Sequence, residues 1–96
     1  MYELPESLTV FNSEEVLESL GKYVSSYIEG QGQSDKVVID ATKLIDLDGA
    51  GLQLLLSAYK TCELRNIPFH ITGIDKEIMT LLEITGTKDM LESEEI

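Results

Sequence analysis

Residues 37–56 constrain the fold of this chain more than any other part of the sequence. They begin with Val37-Val38-Ile39, a β-branched apolar run, which predicts a short strand that is buried on both faces. An acidic turn segment follows, and Gly49-Ala50-Gly51 then leads into an apolar run that begins a helix. A strand, a loop and a helix N-terminus in this order form a geometry that proteins use to present or recognise an anion.

The helix in this segment is predicted over residues 50–65, with Asp48 as a candidate N-cap. At 100° per residue, one wide arc of the helix is apolar and consists of Leu52, Leu54, Leu55, Leu56, Ala58, Tyr59 and Cys62. The opposite side is polar and consists of Gln53, Ser57, Lys60 and Thr61. Leu64 falls within this polar side, where a core does not require a leucine. The pattern predicts a helix that covers a sheet and exposes a polar stripe with one leucine in it.

An amphipathic helix is also predicted near the N-terminus, with Asn12 as its N-cap. Glu15 follows at the position that completes a capping box, and Phe11 is placed to pack onto Val16 as a hydrophobic staple. The apolar residues recur at helical spacing and form one continuous face, which consists of Val16, Leu17, Leu20, Tyr23, Val24, Tyr27 and Ile28. The following Gly30-Gln31-Gly32-Gln33-Ser34 predicts the end of the helix and a flexible loop.

Two further strands and a third helix complete the pattern. Residues 2–10 alternate loosely and contain Pro5, which predicts an edge strand or a broken one. Residues 68–72 predict another strand, and Asp75 is a candidate cap for a short helix that ends at Gly86. The order β-α-β-α-β-α predicts an α/β fold with three helices and a mostly parallel sheet of about four strands.

The length of 96 residues suits one two-layer domain, so we expect a single domain over residues 1–96. Met90-Leu91 is a candidate for a last edge strand, and residues 92–96 are expected to form an acidic C-terminal tail.

The charge balance restricts the partners of this chain. Asp and Glu outnumber Lys and Arg 18 to 7, which gives a net charge of −11. The electrostatic field of this negative charge repels phosphate backbones and anionic lipid headgroups, so nucleic acid and membrane surfaces are poor partners. A protein with a basic face is the better partner. The single cysteine fits a reducing compartment, no apolar run is long enough to insert into a membrane, and the N-terminus lacks the features of a signal peptide. We therefore expect a cytoplasmic protein.

Few residues suggest catalysis or metal binding. Asp40, Asp46 and Asp48 could gather around a divalent cation, but they lack the spacing of a Ca²⁺ loop, and we interpret them as solvated loop carboxylates. His70 has no Ser-His-Asp or Cys-His spacing around it, and Cys62 is predicted to be a small buried hydrophobe. There is no GxxxxGK[ST] and no GxGxxG. The sequence predicts no catalytic residue, no metal and no cofactor.

The segment Asp48-Gly49-Ala50-Gly51-Leu52 resembles the signature of STAS domains, the fold of bacterial anti-sigma factor antagonists. In that family a buried strand ending in Asp is followed by a loop and by Asp-Ser/Thr-Ser/Ala-Gly-Leu, which begins a helix. The third-helix pattern of residues 77–86 is also similar to the family, and the resemblance covers roughly residues 4–91. The chain looks most like short single-domain members, which include chemotaxis-associated proteins and the STAS subunit of a lipid-transport ABC system.

This resemblance implies a protein-binding regulatory module that is not an enzyme. In the family, the Ser or Thr after the Asp accepts phosphate from a partner kinase, whereas this chain has Gly49 and then Ala50. Gly49 is therefore a degenerate phosphoacceptor position, and neither residue has a hydroxyl group. The implied partner is a kinase-type anti-sigma factor, a chemotaxis protein or a transporter ATPase. An alternative is a phosphorelay carrier that is phosphorylated elsewhere, on Thr42 or Ser57.

The candidate partner-binding residues lie in the acidic loop, at the helix start and on the polar side of the second helix. They are Asp46, Asp48, Gly49, Ala50, Gly51, Gln53, Ser57, Lys60 and Leu64. The alternative for the helix is an ordinary solvated face, and Leu64 is the residue that favours an interface instead. The sequence leaves the oligomeric state open.

Overall fold

The computed structural model describes residues 1–30 and 36–87, which form short strands and three helices. The strands are β1 (Tyr2–Glu3), β2 (Ser7–Leu8), β3 (Val37–Asp40), β4 (Asp46–Leu47) and β5 (Phe69–Thr72). The helices are α1 (Ser13–Ile28), α2 (Gly49–Leu64) and α3 (Lys76–Thr85). The predicted α/β class, with three helices and a mostly parallel sheet, is confirmed.

The main sheet has three parallel strands in the order β1-β3-β5. The β-branched run predicted as a buried strand is β3, which lies in the middle with Ile39 opposite Tyr2 on one side and Ile71 on the other. Val37 and Ile39 are fully buried, whereas Val38 and Asp40 on the opposite face are only half-buried, so the prediction of burial on both faces holds for one face alone. Pro5 lies between β1 and β2, so the first strand is both at the edge and broken, as predicted.

The acidic segment after β3 is more ordered than the sequence indicated. Within it, β4 pairs in parallel with β2, and Ser7 lies opposite Asp46 while Leu8 lies opposite Leu47. The prediction of a continuous loop before α2 was wrong at this point. A two-residue strand is too short to show hydrophobic periodicity, and its pairing depends on a segment almost 40 residues earlier. This small second sheet fixes the approach to α2.

Helices α1 and α2 lie side by side. Helix α1 connects β1 to β3 and α2 connects β3 to β5, and right-handed connections in the same direction place both helices on one face of the sheet. The two helices pack against each other. Their buried faces meet β3 and β5 in a single core, which also includes the fully buried thiol of Cys62. The prediction of Cys62 as a buried hydrophobe is confirmed.

Tyr23 attaches α1 to the central strand. Its hydroxyl group accepts a hydrogen bond from the N–H of Val38 at 3.2 Å and donates one to the carbonyl oxygen of Val38 at 3.3 Å. Burial, together with a hydrogen bond to Tyr27, raises the pKa of Tyr23 to about 12. Tyr23, Tyr27 and Tyr59 pack at the margin of the core, as predicted for them.

The start of α1 differs from its prediction. Asn12 occupies the N-cap position, but its side chain makes no cap hydrogen bond. Instead its Oδ1 accepts from the N–H of Thr9 at 2.9 Å, and its Nδ2 donates to the carbonyl oxygen of Ser7 at 2.8 Å. Phe11 is 95% exposed and does not pack onto Val16. The capping box and the staple were therefore both wrong, because Asn12 stabilises the preceding loop and that loop holds Phe11 away from the helix.

Helix α3 begins and ends as predicted, since Asp75 accepts a hydrogen bond from the N–H of Ile78 and Gly86 adopts a left-handed conformation. Ile84 is 77% exposed and does not belong to the buried face of α3. The predicted loop at residues 31–34, the candidate strand Met90-Leu91 and the acidic tail at residues 92–96 lie outside the described residues.

Candidate functional site

Asp48 connects the N-terminus of α2 to the loop that precedes α1. Its Oδ1 accepts a hydrogen bond from the N–H of Gly51 at 3.0 Å, which confirms Asp48 as the N-cap. Its Oδ2 accepts from the N–H of Val10, also at 3.0 Å. The bonds from Gly51 and Val10, in that order, lower the pKa of Asp48 below the ordinary value for a carboxyl group. The ionised carboxylate therefore holds two loops together at the start of α2.

The two glycines after Asp48 have different surroundings. Gly51 is buried, and a Cβ on it would lie 2.8 Å from the carbonyl carbon of Leu8, even closer to the carbonyl oxygen of Leu8, and 2.9 Å from Cδ1 of Leu47. Only a glycine allows α2 to approach the backbone of β2 this closely. A Cβ on Gly49 would meet no atom within 4 Å. Gly51 thus has a packing role, whereas Gly49 is an exposed position with room for a side chain.

The three aspartates of the acidic segment do not converge. Asp40 accepts hydrogen bonds from the N–H and the hydroxyl group of Thr42 at 2.9 and 2.5 Å, and the hydroxyl bond is the larger cause of its lowered pKa. Asp46 is exposed on β4, and Asp48 is the cap described above. Within residues 1–30 and 36–87, no three Asp, Glu, His or Cys side chains are grouped so that they could hold a metal ion.

The outer side of α2 presents the polar stripe that the sequence predicted. Gln53, Ser57, Lys60 and Leu64 are all exposed, and Leu64 reaches 84%. Because these positions follow one another at three- and four-residue intervals, they form one continuous face along the helix. Ala50 is half-buried at the start of the same face. The structure therefore brings these predicted residues onto one surface, and the strand β4, which carries Asp46, leads into the start of this helix.

Val10 and Phe11 form an exposed apolar pair that the sequence reasoning missed. Val10 is 63% exposed and Phe11 is 95% exposed, and the N–H of Val10 donates a hydrogen bond to the carboxylate of Asp48. The position of Phe11 directly before the N-cap is typical of a hydrophobic staple. No local pattern in the sequence distinguished a Phe11 that packs on its own helix from one that is exposed to solvent. The tertiary structure instead leaves the ring of Phe11 in solvent, next in the chain to the residue that is hydrogen-bonded to the N-cap of α2.

Neither His70 nor Cys62 forms part of a reactive cleft. His70 is a half-buried residue of β5 that lies opposite Val38. Burial raises the pKa of the Cys62 thiol, which keeps it protonated and weakly nucleophilic.

The fold, with a parallel sheet and an Asp-capped helix after its central strand, agrees with a comparison of the sequence with models of known protein families. The family model of the STAS domain matches residues 1–95. The chain belongs to the STAS domain family. The resemblance seen in the segment around Asp48 is thereby confirmed over almost the whole chain. No curated protein matches this STAS chain.

Family membership makes this STAS chain a regulatory binding module of the anti-sigma factor antagonist type. STAS domains are in general non-enzymatic binding modules. Among the described residues of this STAS domain, no helix combines the length and apolar character needed to cross a membrane.

Proposed function

We propose that this STAS domain docks a signalling protein through a surface at the start and along the outer side of α2. This docking surface consists of Asp46, Asp48, Gly49, Ala50, Gln53, Ser57, Lys60 and Leu64. Gly51 is omitted from it because the residue is buried against β2. The whole chain acts as one domain, in the cytoplasm, and without catalysis.

The observation that carries this proposal is the exposure of Leu64. Exposure of an apolar side chain to water is unfavourable in free energy. The side chain of Leu64 is nevertheless 84% exposed, within an otherwise polar face of α2. Val10 and Phe11 add exposed apolar area in the loop that is hydrogen-bonded to Asp48, the N-cap of α2. Apolar groups with polar neighbours are typical of protein interfaces, where the apolar groups provide most of the binding free energy.

The charge of the chain indicates a partner with a basic face. The net charge of −11 attracts cationic surfaces and repels anionic ones. A kinase-type anti-sigma factor is the proposed partner, and a chemotaxis protein or the ATPase of a lipid transporter is the alternative. The identity of neighbouring genes would distinguish among these three systems.

We also propose that binding is not switched at the start of α2. Positions 49 and 50 have no hydroxyl group, so a partner kinase cannot transfer phosphate to them. The module then stays competent to bind, or it is controlled elsewhere. A phosphorelay carrier modified at another hydroxyl is the alternative that the phosphorylation experiment in the Discussion separates.

A change at Leu64 tests the docking surface. Because Leu64 is exposed, Leu64→Glu should alter the free energy of unfolding by no more than about 0.5 kcal/mol. At the centre of an interface the same change should weaken binding by about 2 kcal/mol or more, because a carboxylate is desolvated against the partner. Ser57→Glu should have a similar but smaller effect.

The matched control is Ile84→Glu, the same change in chemistry at a 77% exposed position on α3. Melting temperature and partner affinity should be measured on the same preparations of each variant. Equal losses of affinity for Leu64→Glu and Ile84→Glu would contradict the docking surface and leave only a general charge effect.

A further inference from the structure

An apolar groove runs between α1 and α2 on the side away from the sheet. It has a volume of about 170 Å³ and is lined by Leu17, Gly21, Ile28, Leu54, Ala58 and Thr61, among others. Leu17 is 56% exposed at its margin. An apolar cavity of comparable size is large enough to bind benzene, so the groove has room for one large apolar side chain.

Gly21 keeps this groove open. It lies in the interior of α1, where glycine lowers helix stability relative to alanine. A Cβ on Gly21 would meet no atom within 4 Å, so no contact inside this chain requires a glycine there. Gly51, in contrast, is required by its contact with Leu8, and Gly86 has a positive φ. The space that a side chain at position 21 would occupy is part of the groove.

Acidic side chains near one end of the groove favour a cationic binding partner. The groove continues toward the N-termini of both helices into a hollow lined by Glu14, Leu17, Ala50 and Gln53. Glu14 and Glu18 are exposed on the first two turns of α1. A cationic segment is attracted to this position, whereas a second copy of a chain with a net charge of −11 is repelled.

We infer that the groove binds an amphipathic helix of a partner protein, with one Leu or Phe anchor and flanking Lys or Arg residues. Residues 17–28 extend for about 17 Å along α1, which matches about three turns of a bound helix. The anchor fills the space above Gly21, and the basic residues lie near Glu14 and Glu18. This inference rests on the proposed protein-binding function and specifies the chemistry of the partner.

A model peptide tests the groove directly. The probe is a synthetic helix of about fourteen residues, with leucines and a central phenylalanine on one face and lysines on the other. Its binding to the ¹⁵N-labelled full chain should shift the amide resonances of residues 17–28 and 54–61. A peptide with glutamates in place of the lysines is the charge control and should bind at least about tenfold more weakly.

Three variants distinguish the groove from the rest of the surface. Gly21→Leu fills the groove without a change in charge and should weaken binding of the lysine peptide at least about tenfold. Gly21→Ala adds only a methyl group, and Ile84→Glu changes an exposed residue of α3, so both should stay within about twofold. Should Gly21→Leu fail to fold, Leu17→Glu takes its place, with the same expected loss.

Other outcomes would overturn the inference. These are equal affinity for the two peptides, no detectable binding of the lysine peptide, or full affinity of the Gly21→Leu variant. Resonance shifts confined to residues 46–53 would contradict binding in the groove but would leave the proposed docking surface intact. An unchanged affinity of the Leu64→Glu variant for its native partner would instead count against the docking surface alone. A dimer by sedimentation that Gly21→Leu dissociates would show a second copy as the occupant and would also overturn the inference.

Discussion

The carboxylate of Asp48 accepts a hydrogen bond at 3.0 Å from the backbone N–H of Val10, a residue 38 positions earlier in the chain. The same carboxylate caps α2 through Gly51. One side chain therefore determines both where α2 begins and where the loop with Val10 and Phe11 lies. The acidic residue that the family signature places at this position has a structural role in this chain, and the exposed residues around it are available for a partner.

Asp48→Asn should make the chain less stable at neutral pH. Asparagine retains a good cap for Gly51, but its amide nitrogen cannot accept a hydrogen bond from Val10. Since the folded state lowers the pKa of Asp48, its contribution is present above the unfolded value of about 3.9 and is lost as the pH falls through the folded value. Urea denaturation should show a difference between wild type and variant that shrinks in acid. Asp46→Asn, at an exposed position of β4, controls for the loss of one charge, and equal effects of both changes would contradict the prediction.

Gly51→Ala should destabilise the fold by about 2 kcal/mol or more, because the new methyl group would overlap the backbone of Leu8. Gly49→Ala is the matched control two residues earlier in the same helix. A Cβ there has open space, so the change should stay within about 0.5 kcal/mol. The free energies of unfolding of both variants, measured by chemical denaturation, check these two predictions. A small effect at Gly51 would mean that α2 can move away from β2 at low cost.

Gly49→Ser tests whether a kinase still docks at the start of α2. The open space around Gly49 accommodates the side chain, and the helix N-terminus tolerates added negative charge. With a partner kinase and ATP, wild type should accept no phosphate at residues 49 and 50, and the variant should accept phosphate at Ser introduced there. Phosphopeptide mapping reads both results. Stoichiometric phosphate on Thr42 or Ser57 in the wild type would show that the switch is at another hydroxyl group.

The rate of association with a basic partner should fall as the salt concentration rises. A net charge of −11 accelerates the encounter of opposite charges, and salt at about 0.1 M screens interactions beyond about 10 Å. Stopped-flow or surface-binding measurements between low and physiological ionic strength should show a decrease in the association rate constant. The dissociation rate constant should change less, because it depends on contacts at short range. A flat salt dependence of association would contradict a basic partner.

Local patterns in the sequence were sufficient to predict the three helices of this fold and the strands β3 and β5. The strand β3 followed from a run of β-branched apolar residues and the helix α2 from apolar periodicity, and the caps at Asp48 and Asp75 followed from side chains that bind N–H groups three residues later. The exposure of Leu64 also followed from its angle on the helix, because an α-helix turns by the same angle at every residue. Each of these features depends on residues within one or two turns of one another.

Other features depended on contacts between distant segments, and only the tertiary structure decided them. The side chain of Asn12 binds the preceding loop rather than its helix, which leaves Phe11 in solvent instead of on Val16. Leu8 and Gly51 are 43 positions apart in the chain, yet their contact is what requires a glycine in α2. The sequence by itself determined the three helices and the strands β3 and β5, because capping, apolar runs and periodicity act within a few residues, whereas β4 exists only through its pairing with the distant β2. The packing of β2 and its loop against α2 decided which of the remaining side chains are buried and which are free to bind.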